Sequence, residues 1–220
     1  MKLVIANKNY SSWSLRPWLV ATHFDIPFVE EQVLLSGEGW REKVRAISPT
    51  GRVPLLIDGE LVINESIAIV EYLAEKFPEK PIWPADARQR ALARAAAAEM
   101  HAGFSALRSH APMNLRKSLP GRIPVDEVAD DLSRMERLWG GLLEQSGGPF
   151  LFGSFCAADA MFAPLASRVR TYELPTSDTA ADYIGAIYAL PAFQSWLAAA
   201  TVEPWIVEED EIDVIQGRGL

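Results

Sequence analysis

The chain is poor in the residues that build covalent or metallic frameworks. It has one cysteine, Cys156, in 220 residues. No internal disulfide can form, and a reducing, cytoplasmic setting is expected. Three histidines, His23, His101 and His110, share no ligand spacing, so no metal is expected. There is no Cys-x-x-Cys pair, which excludes a dithiol redox centre. No apolar run approaches the roughly 20 residues of a membrane-spanning helix. The sequence starts directly with Lys2-Leu3-Val4-Ile5-Ala6, and no signal-like apolar region is expected. Basic residues are in deficit, 21 against 29 acidic, for a net charge of −8. Neither nucleic acid nor membrane is therefore expected as a partner, since phosphate binding needs a basic field. Repeats and low-complexity tracts are absent. What remains is an ordinary globular composition, 49% apolar, long enough for two modest domains or one large one.

The stretch from Thr50 to Phe77 organises this chain. Two short apolar runs, Val53 to Ile57 and Leu61 to Ile63, flank Asp58-Gly59, a two-residue hairpin signal of type I′. Asn64 and Ser66 offer side-chain oxygens to a helix start, and Val70, Leu73 and Phe77 then follow a helical stripe. The unit reads strand, turn, strand, helix. Pro54 is out of place in a paired strand. Either the Val53–Pro54 bond is cis and turns the Val53 backbone toward an open groove, or a trans proline starts an edge strand. The residues leave both open. Glu65-Ser66 sits where free N–H groups and the positive helix end hold carboxylates. Glu65 beside it suits an ammonium group, so the pair suits an amino-acid head. A plain cap explains the same residues.

At the N-terminus, Leu3 to Ala6 reads as a buried strand and Asn7 to Ser12 as a polar loop. Leu15, Trp18, Leu19 and Thr22 follow helical spacing. Pro17 belongs in a first turn, which predicts a start near Trp13 or Ser14 with Ser14 as cap. Ser11 and Ser12 then lie just before a helix N-terminus, where a thiolate is stabilised. With no protein thiol there, a serine hydroxyl can donate to a sulfur brought by a ligand. Cap and turn roles are the plain alternative. Ile26 to Leu35 reads as a second strand, and Trp40 to Ala46 as a short helix.

Pro49-Thr50-Gly51-Arg52-Val53-Pro54-Leu55-Leu56 and Asn64-Glu65-Ser66-Ile67-Ala68-Ile69-Val70-Glu71-Tyr72-Leu73 closely resemble the glutathione-binding half of the cytosolic glutathione transferases. Ser11-Ser12-Trp13-Ser14-Leu15-Arg16 resembles the Ser-Ser-Cys-Ser-Trp-Arg run of the zeta-type enzymes, which include maleylacetoacetate isomerases, with theta the other neighbouring group. The resemblance implies glutathione as co-substrate. Val53, before a cis Pro54, would pair with its cysteinyl backbone, and Glu65 and Ser66 would grip its γ-glutamyl head. Trp40, Lys43 and Arg52 would meet its glycine end. Ser11 takes the catalytic place and Ser12 its neighbour's. Trp13 stands where the zeta run has cysteine, which weakens a cysteine-dependent isomerase role. Tyr10 ranks behind the serines and is expected, with Trp13, as a wall of the co-substrate pocket. The family also implies a homodimer and a small, mostly apolar electrophile. A glutathione-dependent isomerase and a non-catalytic interaction module of the same fold remain as rival functions.

The expected fold class is α/β followed by all-α. A thioredoxin-like domain covers residues 1–78 and an all-helical domain residues 86–220, joined by the proline-rich Pro78 to Pro84. Asp86 to Gln89 opens an alanine-rich helix expected to reach Ser109. Val125 to Gln145 reads as another, with further helical patterns from Ala157, near Ala180 and after Pro191. Asp159 lacks the usual Ser/Thr cap three residues before it. Cys156 holds that place, so either Ser154 substitutes or the capping box is half lost. Phe104, Arg108 and Met113 are candidates for the co-substrate pocket. The acidic run Glu208 to Asp213 reads as a solvated tail.

Overall fold

The computed structural model describes residues 1–212. Its N-terminal part runs β1 (Lys2–Ile5), α1 (Ser12–His23), β2 (Val29–Gln32), α2 (Trp40–Ile47), β3 (Leu55–Asp58), β4 (Leu61–Asn64) and α3 (Ser66–Lys76). The sheet order is β2-β1-β3-β4. β1 pairs parallel with β2, Lys2 opposite Val29, and antiparallel with β3, Leu3 opposite Leu56. Parallel neighbours need a crossover, which α1 supplies, and antiparallel neighbours need only a tight turn. Leu3, Val4, Ile5, Leu55 and Leu56 are buried, as central strands covered on both faces must be. This is the thioredoxin-like arrangement.

The rest is helical. α4 spans Ala87–Ala102, α5 Ser105–His110, α6 Ala129–Ser146, α7 Ala157–Tyr172, α8 Asp178–Ala189 and α9 Pro191–Val202. Among the described residues no strand follows β4, apart from an isolated bridge between Phe150 and Gly153. None of these helices is long and apolar enough to cross a membrane. Nearly all of α7 is buried. Phe162 on it meets Phe104 and Trp139 edge-on, and Trp139 meets Tyr183 of α8 at 4.8 Å. One apolar cluster runs without a break from Leu3 through α1 and α7 to Ile212. Ile82 and Trp83 of the proline-rich connection are buried, and the Ile82 carbonyl accepts from Ala157 N at 2.8 Å.

The structure corrects several sequence expectations. The hairpin turn is Gly59-Glu60, because Asp58 still pairs with Leu61. Only Gly59 has a positive φ (+62°), the requirement of a II′ rather than a I′ turn. The α1 cap is Ser11, not Ser14, and Ser12 is already helical. Pro17 therefore lies beyond the first turn, and the Trp13 carbonyl loses its helical donor. Neither Asn64 nor Ser66 caps α3. Glu65 holds the cap position, and its side chain makes no capping bond. The alanine-rich helix breaks at Gly103-Phe104, where Phe104 adopts a left-handed φ of +57°.

At α7, Cys156 is the cap, and Asp159 reaches back to its N–H at 2.9 Å, so the box forms with a thiol in the hydroxyl's place. Ser154 is exposed and takes no part. The acidic run is solvated only in part. Glu208 and Glu209 are exposed, but Glu211 is buried and accepts from Tyr10, as Glu203 ahead of the run is buried on Lys8 and Asn9, while Asp213 lies outside the described residues.

Asp159 accepts from Leu151 N (3.1 Å), Cys156 N (2.9 Å) and the Tyr183 hydroxyl (3.0 Å). Complete burial nevertheless raises its carboxyl to about 6, the hydrogen bonds pulling the other way. An unfolded aspartate titrates near ~3.9. Folding therefore takes up a proton between these values. The associated stability is fully present below about pH 4 and is lost as pH rises through about 6. Asp159→Asn should remove that slope and cost about 1–3 kcal/mol at neutral pH, since one donor is left facing an amide NH2. Urea unfolding of both proteins from pH 4 to 7.5 measures both effects. A variant as stable as the wild type, with the same slope, would refute them.

Candidate functional site

The site starts at the loop between β1 and α1. Asn7 supplies its carbonyl to Ser11 N (2.8 Å) and its side-chain oxygen to Leu35 N (2.8 Å). Glu203, from just after α9, accepts from the backbone N–H groups of Lys8 (2.7 Å) and Asn9 (3.0 Å) with its two oxygens. The loop is thus fixed by side chains, and its end presents Ser11 and Ser12. Ser11 Oγ accepts from Ser14 N (3.3 Å) and donates to Ser14 Oγ (2.8 Å). Ser14 Oγ also accepts from Ala6 N of the β1 end at 3.0 Å. Ser12 Oγ accepts from an Arg168 terminal nitrogen at 3.3 Å. Its own O–H has no acceptor among the described residues.

Tyr10 is occupied differently. Its hydroxyl donates to Glu211 Oε1 at 2.5 Å and accepts from Arg116 at 2.6 Å. Burial first, then the Glu211 hydrogen bond, raises its pKa. Arg116 also donates to the Trp205 carbonyl (3.1 Å) and to that of Glu203, and Lys117 pairs with Glu211 at 2.5 Å.

The second component lies at the start of α3. The Val53–Pro54 peptide is cis, and Val53 precedes the paired residues of β3. Glu65 has a φ of +70°, and Ser66 is the first residue of α3. Ser66 is 1% exposed, and its hydroxyl has no hydrogen-bond partner. His101 Nε2 approaches Glu65 Oε2 at 3.6 Å. Burial and the nearby Arg16 charge lower the His101 pKa, against the pull of Glu65, so the ring is neutral at pH 7.

Two adjoining cavities contain these groups. The smaller, about 210 Å³, is lined by Thr50, Arg52, Val53, Pro54, Glu65 and Ser66. The larger, about 650 Å³, includes Tyr10, Ser11, Ser12, Trp40, Met113 and Arg168 in its wall. Trp13, Arg52, Val53 and Arg108 border both. Trp13 packs against two guanidiniums, with Arg16 at 4.1 Å and Arg108 at 4.3 Å from its ring centre. Arg16 is almost wholly buried. It donates to the Met161 carbonyl (3.2 Å), and one terminal nitrogen has no partner. Burial, then repulsion from Arg168 and Arg108, pushes its pKa well down. The walls are thus strongly cationic in a chain of net charge −8.

Of the residues singled out from sequence, Ser11, Ser12, Trp40, Arg52, Val53, Pro54, Glu65, Ser66, Tyr10, Trp13, Arg108 and Met113 meet around these cavities. Two do not. Lys43 is exposed on α2, outside both linings, and Phe104 is buried against Phe162 in the core. Sequence reasoning passed over Arg16, His101, Arg168, Asp210 and Glu203. Arg168 carried a signal, as a cation deep in the otherwise apolar run from Ala157 to Val169. Glu203 carried none, because its partners lie some 195 positions away. Among the described residues no group of His, Cys, Asp or Glu is gathered as a metal site.

Comparison with known proteins bears on family and fold. The glutathione S-transferase N-terminal domain family matches residues 10–76. Glutathione S-transferase Z1 of Arabidopsis thaliana is 29% identical over 74% of this chain and 76% of its own. A probable maleylacetoacetate isomerase of Caenorhabditis elegans is 30% identical over 76% of this chain and 77% of its own. Among solved structures, a Burkholderia glutathione transferase homologue with bound glutathione superposes with a TM-score of 0.68 at 26% identity, covering 90% of this chain and 97% of that one. A zeta-class maleyl pyruvate isomerase gives 0.70 at 23% identity, covering 94% and 100%, a likeness of fold. With 30% identity across three quarters of both chains, and the fold to match, the protein belongs to the glutathione S-transferase family.

Proposed function

We propose that the two cavities together hold glutathione with its sulfur at the α1 N-terminus, and that the protein adds the thiolate to a small electrophile. The observation that carries this reading is the Ser66 hydroxyl, buried and without a partner at the N-terminus of α3. An unsatisfied buried hydroxyl costs on the order of 1–3 kcal/mol, so its persistence suits a ligand that completes it. The free N–H groups beside it suit the γ-glutamyl carboxylate, and Glu65 suits the ammonium group. Val53 and Pro54 line the same cavity, where the cysteinyl backbone would run. Trp40 and Arg52 stand on the side proposed for the glycine end.

The proton inventory supports a serine rather than a tyrosine at the sulfur. The single Tyr10 proton is committed to Glu211. Ser11 is committed to Ser14 and acts as the cap. Ser12 accepts from a cation and keeps its own proton, which makes it the better placed donor. The resemblance had put Ser11 first, and the geometry shifts weight to Ser12. The helix N-terminus adds a field that favours the thiolate. In the reaction the S–C bond forms, the leaving group departs with its electron pair, and the thiol proton passes to solvent. The protein is read as a cytoplasmic homodimer. Leu61 and Val62 on the edge strand β4 leave apolar surface that suits a second copy.

Removing one donor to a developing anion typically costs about 100- to 1000-fold in rate. The helix terminus remains in a variant, so Ser12→Ala should lower turnover of 1-chloro-2,4-dinitrobenzene by roughly tenfold or more, with little change in glutathione affinity. The pH–rate profile should move up as the bound thiol returns toward its free value. Ser11→Ala should act mainly on stability, losing about 1 kcal/mol as a cap. Steady-state kinetics with thermal unfolding decide this. If the two roles prove exchanged, the donor is Ser11, and if neither variant alters the rate, the serine mechanism is wrong.

Ser66→Ala should weaken retention on immobilised glutathione by about tenfold, as expected for a hydrogen bond to a charged group. Unchanged retention would remove the observation on which the reading rests. Sedimentation at micromolar concentration should give twice the 24.3 kDa chain mass, and a monomer would exclude the dimer.

A further inference from the structure

The loop from Asn7 to Ser12 is fastened by groups far from it in sequence. Glu203, just after α9, is buried and lies outside the lining of both cavities. Its Oε1 accepts from Lys8 N (2.7 Å) and from the Gln32 amide of β2, and its Oε2 accepts from Asn9 N (3.0 Å). Trp196 of α9 donates its indole N–H to the Lys8 carbonyl at 2.9 Å. Asn9 is wholly buried. Its side-chain oxygen accepts from Arg116 N (2.9 Å), and its amide donates to Asn114 Oδ1 (3.1 Å). Tyr10 closes the series on Glu211. Lys8, Asn9 and Tyr10 are each held from the helical part, three residues in a row directly before Ser11.

A tie between the two halves of the fold needs no such loop. Arg94 of α4 makes one to Glu71 of α3 with two bonds, at 2.9 and 2.8 Å. The bonds on Lys8, Asn9 and Tyr10 instead fix one short stretch of backbone in place. That stretch passes its placement on, because Ser11 N donates to the Asn7 carbonyl (2.8 Å) and Ser12 N to the Tyr10 carbonyl (3.0 Å). Placement matters for a group that meets a developing charge, since a shift of about 1 Å can cost about 100-fold in rate. The Glu203 carboxylate gives the sulfur no direct help, because a negative charge in the neighbourhood of a thiolate disfavours it.

We propose that Glu203 is a positioning residue for the reaction. It clamps the loop so that the serine hydroxyl at the head of α1 is held where the glutathione sulfur arrives. This assignment rests on the serine reading proposed above. It adds to that reading a residue that touches neither glutathione nor the electrophile.

Position and charge predict opposite shifts, and the pH dependence of turnover separates them. Glu203→Gln keeps the length of the side chain and removes its charge, and its NH2 cannot accept from a backbone N–H. Loss of position should lower kcat for 1-chloro-2,4-dinitrobenzene by about tenfold, leave the glutathione KM within about twofold, and move the pH–rate profile up by about half a unit. Loss of a negative charge alone would move the profile down. The ultraviolet thiolate absorbance of bound glutathione, titrated against pH, should move up in step with the rate. Asp159→Asn, destabilised at α7 away from the loop, is the control and should leave kcat and profile unchanged. Arg116→Lys keeps its charge but loses the fork that spans the Glu203 and Trp205 carbonyls and the Tyr10 hydroxyl. It should shift the profile the same way with a smaller loss of kcat, about threefold, and it decides the matter should Glu203→Gln fail to fold. A profile that stays or moves down, a loss confined to KM, or an effect matched by Asp159→Asn overturns the proposal. An unimpaired Glu203→Gln beside an impaired serine variant removes this proposal and leaves the serine mechanism standing. If Ser11→Ala and Ser12→Ala also change nothing, the serine mechanism falls and the proposal with it.

Discussion

The two oxygens of Glu203 hold the loop that delivers the reactive end of α1. Each accepts one backbone N–H, from Lys8 and from Asn9, and the carboxylate is buried while doing so. Backbone donors in a loop have no strand or helix to satisfy them, and a buried one left empty is expensive. A carboxylate is the strongest acceptor available, and its two oxygens fix both direction and register. Arg116 ties the same segment from the other side, through the Glu203 and Trp205 carbonyls and the Tyr10 hydroxyl. The C-terminal segment is therefore part of the N-terminal site. A change there reaches Ser11 and Ser12 without touching them.

The electrostatics of the interior run against those of the whole chain. The net charge is −8, yet Arg52, Arg108 and Arg168 line the larger cavity, and Arg16 lies buried behind Trp13. The acidic surplus lies elsewhere, much of it on exposed helix faces, where water screens it. Inside, stacking compensates in part, since Trp13 meets Arg16 and Arg108 through its ring. A cationic pocket lowers the free energy of a thiolate placed at its edge and of any anion within it. Burial, with the Arg16 charge second, keeps His101 neutral, which removes that ring as a proton donor at pH 7. In the proposed reaction the same charges would bear on the thiolate and on the electrophile beside it.

What the sequence made legible is what depends on neighbours in the chain. The hairpin, the α3 stripe and the βαβ order follow from periodicity and turn residues. The motif residues around Val53-Pro54 and Glu65-Ser66 are close in sequence and meet in one cavity. The failures have long-range causes. Ser14 looked like the cap, but its hydroxyl is engaged by Ala6 N across the loop, and Ser11 takes the role. Phe104 looked like a pocket wall, but a left-handed turn after Gly103 directs it to Phe162. Glu211, within the run from Glu208 to Asp213, looked solvated because nothing local announces that Tyr10, Asn114 and Lys117 await it. Charged residues that serve distant partners have no periodic signature.

The choice between tyrosine and serine shows how such distant contacts decide chemistry. Position admits Tyr10 beside the serines, since it directly precedes the α1 cap and borders the same cavity. A phenol, however, has one proton to give. Here it goes to Glu211, and Arg116 occupies a lone pair, so the group is a structural bridge between the first loop and the last segment. Releasing that proton to a sulfur would take one of its donors from the buried Glu211, which keeps Asn114 and Lys117, a cost comparable to what the sulfur contact returns. Ser12 pays no such penalty. Its oxygen already accepts from Arg168, which polarises the O–H, and the proton is unassigned. Arg168 thus connects the two halves of the site, on one side to the hydroxyl that would meet the thiol and on the other to the wall that faces Asp210. Any anion beside Arg168 would weaken the polarisation of the Ser12 hydroxyl.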